Sequence, residues 1–253
     1  MGESAERLAK ANDISRQSQD DYAHRSHVRA AQAWSEGRFA DQVMTVFVPP
    51  HYAPISSDNL VRRDSDRSEY SRLKPVFDPA HGTITAGNAS PLTDGAAALL
   101  LMSEQAARDR GIKPLGYLGP VAFAGCDPSE QLLMGPAFAI PKLLQATRWG
   151  LDDFDLIDLH EAFAAQVLSN VRALESTAFA QQYFGKSDRV GRVDFDKLNL
   201  SGGSLAIGHP FAATGARQIL QTLHDLVRTG GQRALCATCA AGGLGAALVL
   251  EAP

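Results

Sequence analysis

Residues 233 to 251 read RALCATCAAGGLGAALVLE. Two apolar runs, RALCATC and GAALVLE, flank a small-residue, glycine-bearing turn, which is the pattern of two successive strands. Successive side chains of a strand alternate between its faces, so residues three apart point opposite ways. Cys236 and Cys239 are three apart. The spacing makes Cys236 a core cysteine and Cys239, at the strand end beside Gly242 and Gly243, an exposed thiol. A metal site is the competing reading of CxxC, but zinc takes about four ligands. The chain has no second CxxC or CxxH, and Cys126 is far away in sequence. A redox pair of the thioredoxin type opens a helix, which lowers the thiol pKa. Here a glycine run and a strand follow instead.

Upstream of this pair, strand and helix patterns alternate. The stretch TGARQILQTLHDLVRTGG (214–231) is amphipathic, with Ala216, Ile219, Leu220, Leu223 and Val227 on one face. FDLIDL (154–159) reads as a strand, AFAAQVLSNVRAL (162–174) as a helix and LGYLGPVAFAGC (115–126) as a strand. IPKLLQATRWG (140–150) reads as a helix with Pro141 near its first turn and Gly150 at its end. GTITAGNASPLTDGAAALLLMSEQAARDRG (82–111) has the pattern of a strand, a loop and an Ala-rich helix. The first forty residues are helical, with Ser15 as an N-cap, Ala23, His27, Ala30, Ala31 and Trp34 recurring at helical spacing, and Gly37 as a stop. Residues 47–72 are polar, Pro- and Ser-containing and aperiodic, a long surface excursion. Alternating strands and helices point to a layered α/β chain.

Composition narrows the function classes. A length of 253 residues and 45% hydrophobic content suit a globular chain with a real core. A net charge of −4 gives no reason to expect nucleic acid or an anionic membrane as partner. Three cysteines make no disulfide framework, which favours a reducing, cytoplasmic setting. The N-terminus lacks the apolar core of a signal peptide, and no apolar run approaches the roughly 18 residues of a membrane span.

Three stretches carry chemistry, each at an expected strand end, where open α/β sheets place their sites. In LHEAFAAQ (159–166), His160 and Glu161 follow a strand directly. The imidazole can point into a cleft; equally, it can be a loop histidine beside a glutamate that complements a helix dipole. Ala164 stands where a zinc-protease HExxH needs its second histidine. In GGSLAIGHPFAATGAR (202–217), Gly208 and Pro210 restrict the backbone on both sides of His209, just before a helix start. A histidine so held is suited to orient a carbonyl or a thiol. No phosphate-binding GxxxxGK[ST] occurs. The third stretch is the Cys239 strand end.

Taken together, HEAFA, GGSLAIGHPFAATGAR and CAAGGLGAALVLE (239–251) resemble the thiolase family in order and spacing. Residues 1–39 look like the thiolase loop domain, and TAGNASPLTDGAAA (85–98) like the segment that follows it, so the resemblance covers the whole chain. HEAFA with GHPFAATGAR is most similar to 3-ketoacyl-CoA thiolase subunits of bacterial fatty-acid oxidation complexes. The related ketoacyl synthases carry histidine where Cys239 stands. The resemblance implies a layered α/β/α fold divided into a partial loop domain (1–79), a remnant of the N-terminal domain (80–112) and a C-terminal domain (113–253).

It implies roles as well. Cys239 matches the acid/base cysteine, and His209 the histidine that activates the nucleophile and helps bind the thioester oxygen. His160 completes that oxyanion hole, and the Ala241 N–H is a second oxyanion donor. Ser90 touches the pantetheine arm of CoA, and Ala162 and Phe163 line its tunnel. CoA is a substrate, with no metal and no resident cofactor. Implied partners are acyl-CoA, further copies of the chain, and a hydratase/dehydrogenase subunit. The family's nucleophilic cysteine belongs to the N-terminal half, and none of Cys126, Cys236 or Cys239 matches it. The expectation is a chain inactive and poorly soluble alone that needs a separate N-terminal half; the alternative is a thiolase-fold remnant or interaction subunit without chemistry.

Overall fold

The computed structural model describes all 253 residues. In chain order the elements are α1 (Gly2–Ala11), α2 (Arg16–Ser35), β1 (Val46–Val48), β2 (Ala53–Ile55), α3 (Arg67–Tyr70), α4 (Glu104–Asp109), β3 (Tyr117–Gly125), α5 (Gly135–Thr147), a 3₁₀ turn (Leu151–Asp153), β4 (Leu156–Leu159), α6 (Ala164–Glu175), α7 (Thr177–Phe184), α8 (Ser204–Ile207), α9 (Thr214–Thr229), β5 (Arg233–Ala240) and β6 (Leu244–Glu251). The main sheet has the order β3-β6-β5-β4. β5 and β6 form the expected antiparallel hairpin, β3 adds antiparallel to β6, and β4 lies parallel to β5.

Strand alternation sorts β5 between two layers. Ala234 and Cys236 face α9 in a cluster with Leu156, Leu223, Leu226 and Leu250. Leu235 and Ala237 face α5 and α6, in the main cluster with Ile140, Leu143, Phe154, Val167 and Val249. Cys239, two residues further along that face, enters a third cluster with Ala5, Leu8, Ile84, Met134, Ala162 and Phe163. The layers are therefore α9, the sheet, then α5 with α6, and outside these α1 and α2.

Several expectations need correction. The Ala-rich helix does not form: residues 93–103 adopt no regular secondary structure, and α4 begins only where the Ser103 side chain accepts the Ala106 N–H. Helix propensity is a weak prior that tertiary context overrides. Here the irregular run passes Pro210 and lines an apolar groove of about 710 Å³ with Ile219, Leu220 and Leu223. Leu100 is 82% exposed there. The strand expected near residues 82–87 is also absent. The Thr83 and Ile84 amides donate to the Glu6 carboxylate at 2.8 Å, and the Thr85 amide to Asn88 Oδ1 at 2.8 Å, so no neighbouring strand receives them.

The apolar stripe of α9 exists, but only part of it packs on the sheet: Leu223 is buried and Ile219 partly buried in the Cys236 cluster. Gln218, Gln221, Thr222, Asp225 and Leu226 are buried, whereas Val227 is 50% exposed. α5 starts five residues earlier than its pattern suggests, with Pro136 in its first turn, so Pro141 lies mid-helix and Arg148, in the left-handed region, ends it. The N-terminal helix is broken at residues 12–15; Ser15 caps α2 as expected, its hydroxyl accepting from the Ser18 amide at 3.1 Å. The 47–72 excursion is largely exposed and contains the β1–β2 hairpin and α3.

Candidate active site

β4 and β5 run parallel, and their carboxyl ends bring the candidate residues together. The His160 amide donates to the Ala237 carbonyl at 2.9 Å, which carries β4 one residue past its end and sets His160 beside Thr238, next to Cys239. His209 arrives from the other side, between α8 and α9. Gly208 has φ 107°, and a Cβ there would lie 2.6 Å from Thr93 Cγ2, so only glycine fits before this histidine. The imidazoles of His160 and His209 meet at a tilt of 44° with centroids 4.3 Å apart, and the exposed Phe211 ring lies 5.0 Å from His209.

Residues 88–92 bind both histidine segments at once. The Ser90 amide donates to the Ala162 carbonyl at 3.0 Å, and the His209 amide to the Pro91 carbonyl at 3.1 Å. Bridges pair Ala89 with Phe163 and Leu92 with His209. Ser90, Ala162, Phe163, His160 and His209 thus share one site wall. Asn88 anchors the segment, its amide donating to Asp20 Oδ1 at 2.9 Å and to the Thr83 carbonyl at 3.0 Å.

The expected exposure of Cys239 is corrected: the residue is 9% exposed. Its strand end is open, but its side chain points into the cluster formed by Met134, Phe163 and Ile84. Burial, with a smaller contribution from Cys126, pushes its thiol up to about 12. Cys236 is buried on the opposite face, 3.3 Å from Thr222 Oγ1, and burial raises its thiol as well. Cys126 is half-buried, with Sγ 3.3 Å from the Gly243 carbonyl, and packs against the Cys239 cluster. Between Cys239 and β6 the chain turns through Gly242 and Gly243, both at positive φ, and the Ala241 N–H has no hydrogen-bond partner within the chain. No group of three His, Cys, Asp or Glu is arranged to hold a metal ion.

Four residues that pattern reading did not assign complete the geometry. His209 Nδ1 lies 2.7 Å from Thr214 Oγ1. His160 Nδ1 lies 3.2 Å from Ser204 Oγ, which accepts from Arg217 Nη2 at 3.1 Å. Burial first, then His209 and Arg217, hold His160 well below its ordinary value; burial and then Arg217 lower His209 too. Both rings are therefore neutral at neutral pH. The fourth is Glu161, which is no mere helix-start charge. It is 1% exposed and accepts from Tyr22, Ser26, Asn199 and the Leu205 amide. Such spatial partners carry no local periodicity, which is why only their folded positions reveal them.

Asp158, two residues before His160, is sealed between β4 and α9. Gln218 donates to its Oδ1 at 2.7 Å, yet burial pushes the carboxyl up to about 6 against an unfolded value near 3.8, with Arg217 opposing. A raised carboxyl binds its proton more tightly folded than unfolded. Its ionisation therefore costs stability in full above about pH 6, and the cost is relieved as pH falls toward 3.8. Two pKa units correspond to about 3 kcal/mol at most. Asp158→Asn is expected to raise stability by about 2 kcal/mol at pH 7.5 and to change it little at pH 4.5. Urea midpoints at the two pH values check this; an equal effect at both would contradict it.

Comparison with known proteins agrees with this arrangement. Residues 112–252 match the thiolase C-terminal domain and residues 1–105 the thiolase N-terminal domain. The chain is 55% identical over 251 residues to a 3-ketoacyl-CoA thiolase of Serratia proteamaculans and 54% identical to one of Aeromonas salmonicida, spanning 58% of the length of each. Its structure is similar to that of a Bacillus anthracis acetyl-CoA acetyltransferase, with TM-score 0.87 and 37% identity over 100% of this chain and 60% of the other. A human mitochondrial 3-ketoacyl-CoA thiolase solved with CoA aligns with TM-score 0.85 and 32% identity over 99% of this chain and 58% of the other. With thiolase-domain matches across nearly its whole length and 55% identity to a curated relative over 251 residues, the chain belongs to the thiolase family.

Proposed function

We propose that this chain carries the acid/base and oxyanion-binding part of a 3-ketoacyl-CoA thiolase. The observation that carries the reading is the meeting of His160, His209 and the Cys239 strand end at the carboxyl edge of β4 and β5. The reaction needs a thiolate that attacks the 3-keto carbon and takes the acyl group, releasing an acetyl-CoA enolate. The buried, neutral thiol of Cys239 supplies a proton to that enolate and recovers it when CoA attacks the acyl-enzyme. Neutral His209 accepts the proton of the attacking thiol. His160 and the Ala241 N–H donate to the two developing oxyanions. Ser90, Ala162 and Phe163 flank the pantetheine arm. CoA enters as a substrate, and no resident cofactor or metal takes part.

The attacking thiol lies beyond the three cysteines of these residues, since Cys236 is sealed under α9 and Cys126 sits behind the Cys239 cluster. A complementary N-terminal thiolase half is its source. The names of the similar proteins support thiolysis of 3-ketoacyl-CoA in fatty-acid β-oxidation. That role brings a hydratase/dehydrogenase partner, a homo-oligomeric assembly and a cytoplasmic setting. No helix of the chain is long and apolar enough to cross a membrane.

The test is 3-ketoacyl-CoA thiolysis by this chain alone and co-produced with the N-terminal half of a related thiolase. Turnover is expected only in the mixture, and Cys239→Ser should lower it by about 10²–10⁴-fold, the range for loss of a general acid/base. An unchanged rate in Cys239→Ser would overturn the assignment. The opposing reading, a thiolase-fold interaction subunit without chemistry, draws on the burial of Cys236 and Cys239; turnover in the mixture excludes it.

A further inference from the structure

His160 sits almost wholly inside the protein, yet only one of its ring nitrogens has a partner there. Nδ1 lies 3.2 Å from Ser204 Oγ. Nε2 makes no hydrogen bond, and it is not among the polar atoms sealed from solvent, so it opens on the cleft beside His209. The chemical form of the ring decides whether Nε2 offers a proton or a lone pair to anything bound there.

Ser204 settles that form through its other neighbour. Arg217 Nη2 lies 3.1 Å from the same Oγ, and a guanidinium only donates. The hydroxyl oxygen is therefore already accepting, and its single proton needs an acceptor. Ser204 is fully buried, and its hydroxyl has no partner other than Arg217 and His160. If Nδ1 carried the proton, the Ser204 hydroxyl would accept twice and leave its own O–H buried without a partner, which is unfavourable. If Nδ1 is bare, every group is satisfied: Arg217 donates to Ser204, and Ser204 donates to Nδ1. A doubly protonated ring is opposed by burial and by the adjacent Arg217 guanidinium. Arg217 is itself fixed by a second bond, from Nη1 to Gln221 Oε1 at 3.0 Å one turn along α9.

We propose that Ser204, polarised by Arg217, is a positioning residue that holds His160 as the neutral tautomer protonated on Nε2 and thereby aims an N–H donor into the cleft. The thiolase reading supplies the use for that donor, a developing thioester oxyanion, and the inference rests on that reading for its purpose alone. The relay Arg217–Ser204–His160 joins α9, α8 and the end of β4. A histidine here is a useful oxyanion donor only with a hydroxyl at position 204 behind it.

The experiment reads the tautomer directly and does not depend on turnover. The full chain labelled with ¹⁵N-histidine is examined by long-range ¹H–¹⁵N correlation at neutral pH, with the His160 ring assigned by its loss in His160→Gln. The expected pattern is a protonated Nε2 and a bare Nδ1 shifted upfield by its hydrogen bond. Ser204→Ala should move the Nδ1 resonance downfield toward that of a free imidazole nitrogen, and Ser204→Thr should restore it. Arg217→Met leaves the chain's Ser204 without its donor, frees the hydroxyl to accept, and should shift Nδ1 even if Ser204→Ala does not fold. A proton on Nδ1 in the unaltered chain, or an Nδ1 resonance indifferent to these changes in a folded variant, would overturn the proposal. A negative thiolysis assay with the expected tautomer would count against the thiolase reading alone.

Discussion

Glu161→Ala is expected to destabilise the chain by roughly 3–5 kcal/mol, the scale of breaking a buried polar network. The carboxyl group accepts from Asn199 Nδ2 and Ser26 Oγ at 2.7 Å, from Tyr22 OH at 3.0 Å and from the Leu205 amide at 3.2 Å. Truncation leaves those donors buried around a cavity without their charged acceptor. Tyr22 and Ser26 belong to α2, Leu205 to α8, and Asn199 also donates to the Leu159 carbonyl at the end of β4. One side chain thus ties the N-terminal helices to the sheet beside His160. Glu161→Gln keeps the shape and one acceptor oxygen but turns a second donor toward donors, so it should cost an intermediate amount. Chemical denaturation of the variants measures both. A loss below about 1 kcal/mol in Glu161→Ala, within the range of an ordinary surface change, would remove the hub from the account.

Gly135→Ala is expected to be as damaging for a purely steric reason. A Cβ at Gly135 would fall 2.2 Å from the Leu244 carbonyl oxygen and 2.7 Å from Gly245 Cα. The reciprocal Cβ at Gly245 would fall 2.2 Å from the Gly135 carbonyl group. Both obstacles are backbone, so no rotamer relieves the clash, and α5 must lift from β6. The expected loss is about 3 kcal/mol or more, at the high end for overpacking. Gly215→Ala is the control: nothing lies within 4 Å of its added Cβ, and a helical glycine-to-alanine change should stabilise by roughly 0.5–1 kcal/mol. Thermal melts of the two variants should move in opposite directions. A Gly135→Ala protein as stable as the parent would mean that α5 and β6 can separate freely.

How far the fold can be read from the residues depends on where each segment finds its hydrogen-bond partners. β4, β5, β6, α6 and α9 carry their patterns locally, and the positions of His160, His209 and Cys239 at element ends follow from them. The segment 82–103 does not. The amides of Thr83, Ile84 and Thr85 are answered by Glu6 and Asn88, and the apolar residues 98–102 lie along a groove, so composition alone points to the wrong element. α9 misleads in another way. Its periodic apolar stripe is shared between the groove and the sheet, with Leu223 touching both, while much of its buried side is polar: Gln218 bonded to Asp158 and Ala237, Gln221 to Gly202, and Thr222 near Cys236. Polar side chains that pair with backbone can serve as core, and periodicity counts them as surface. The seclusion of Cys239 was hidden for the same reason: strand alternation yields the face, but what covers that face comes from residues as distant as Ala5 and Ile84.

The short run 88–92 has a mechanical consequence. It is hydrogen-bonded to Ala162 at one end and to His209 at the other, and through Asn88 to Asp20 on α2. Lifting that run would break its ties to Phe163 and His209 in one event, so the Phe163 wall and His209 form a single cooperative opening unit. A force applied at α2 reaches both through Asn88. The local rigidity of His209 is thereby set by a segment more than a hundred residues away along the chain, and loosening that segment loosens the cleft as a whole.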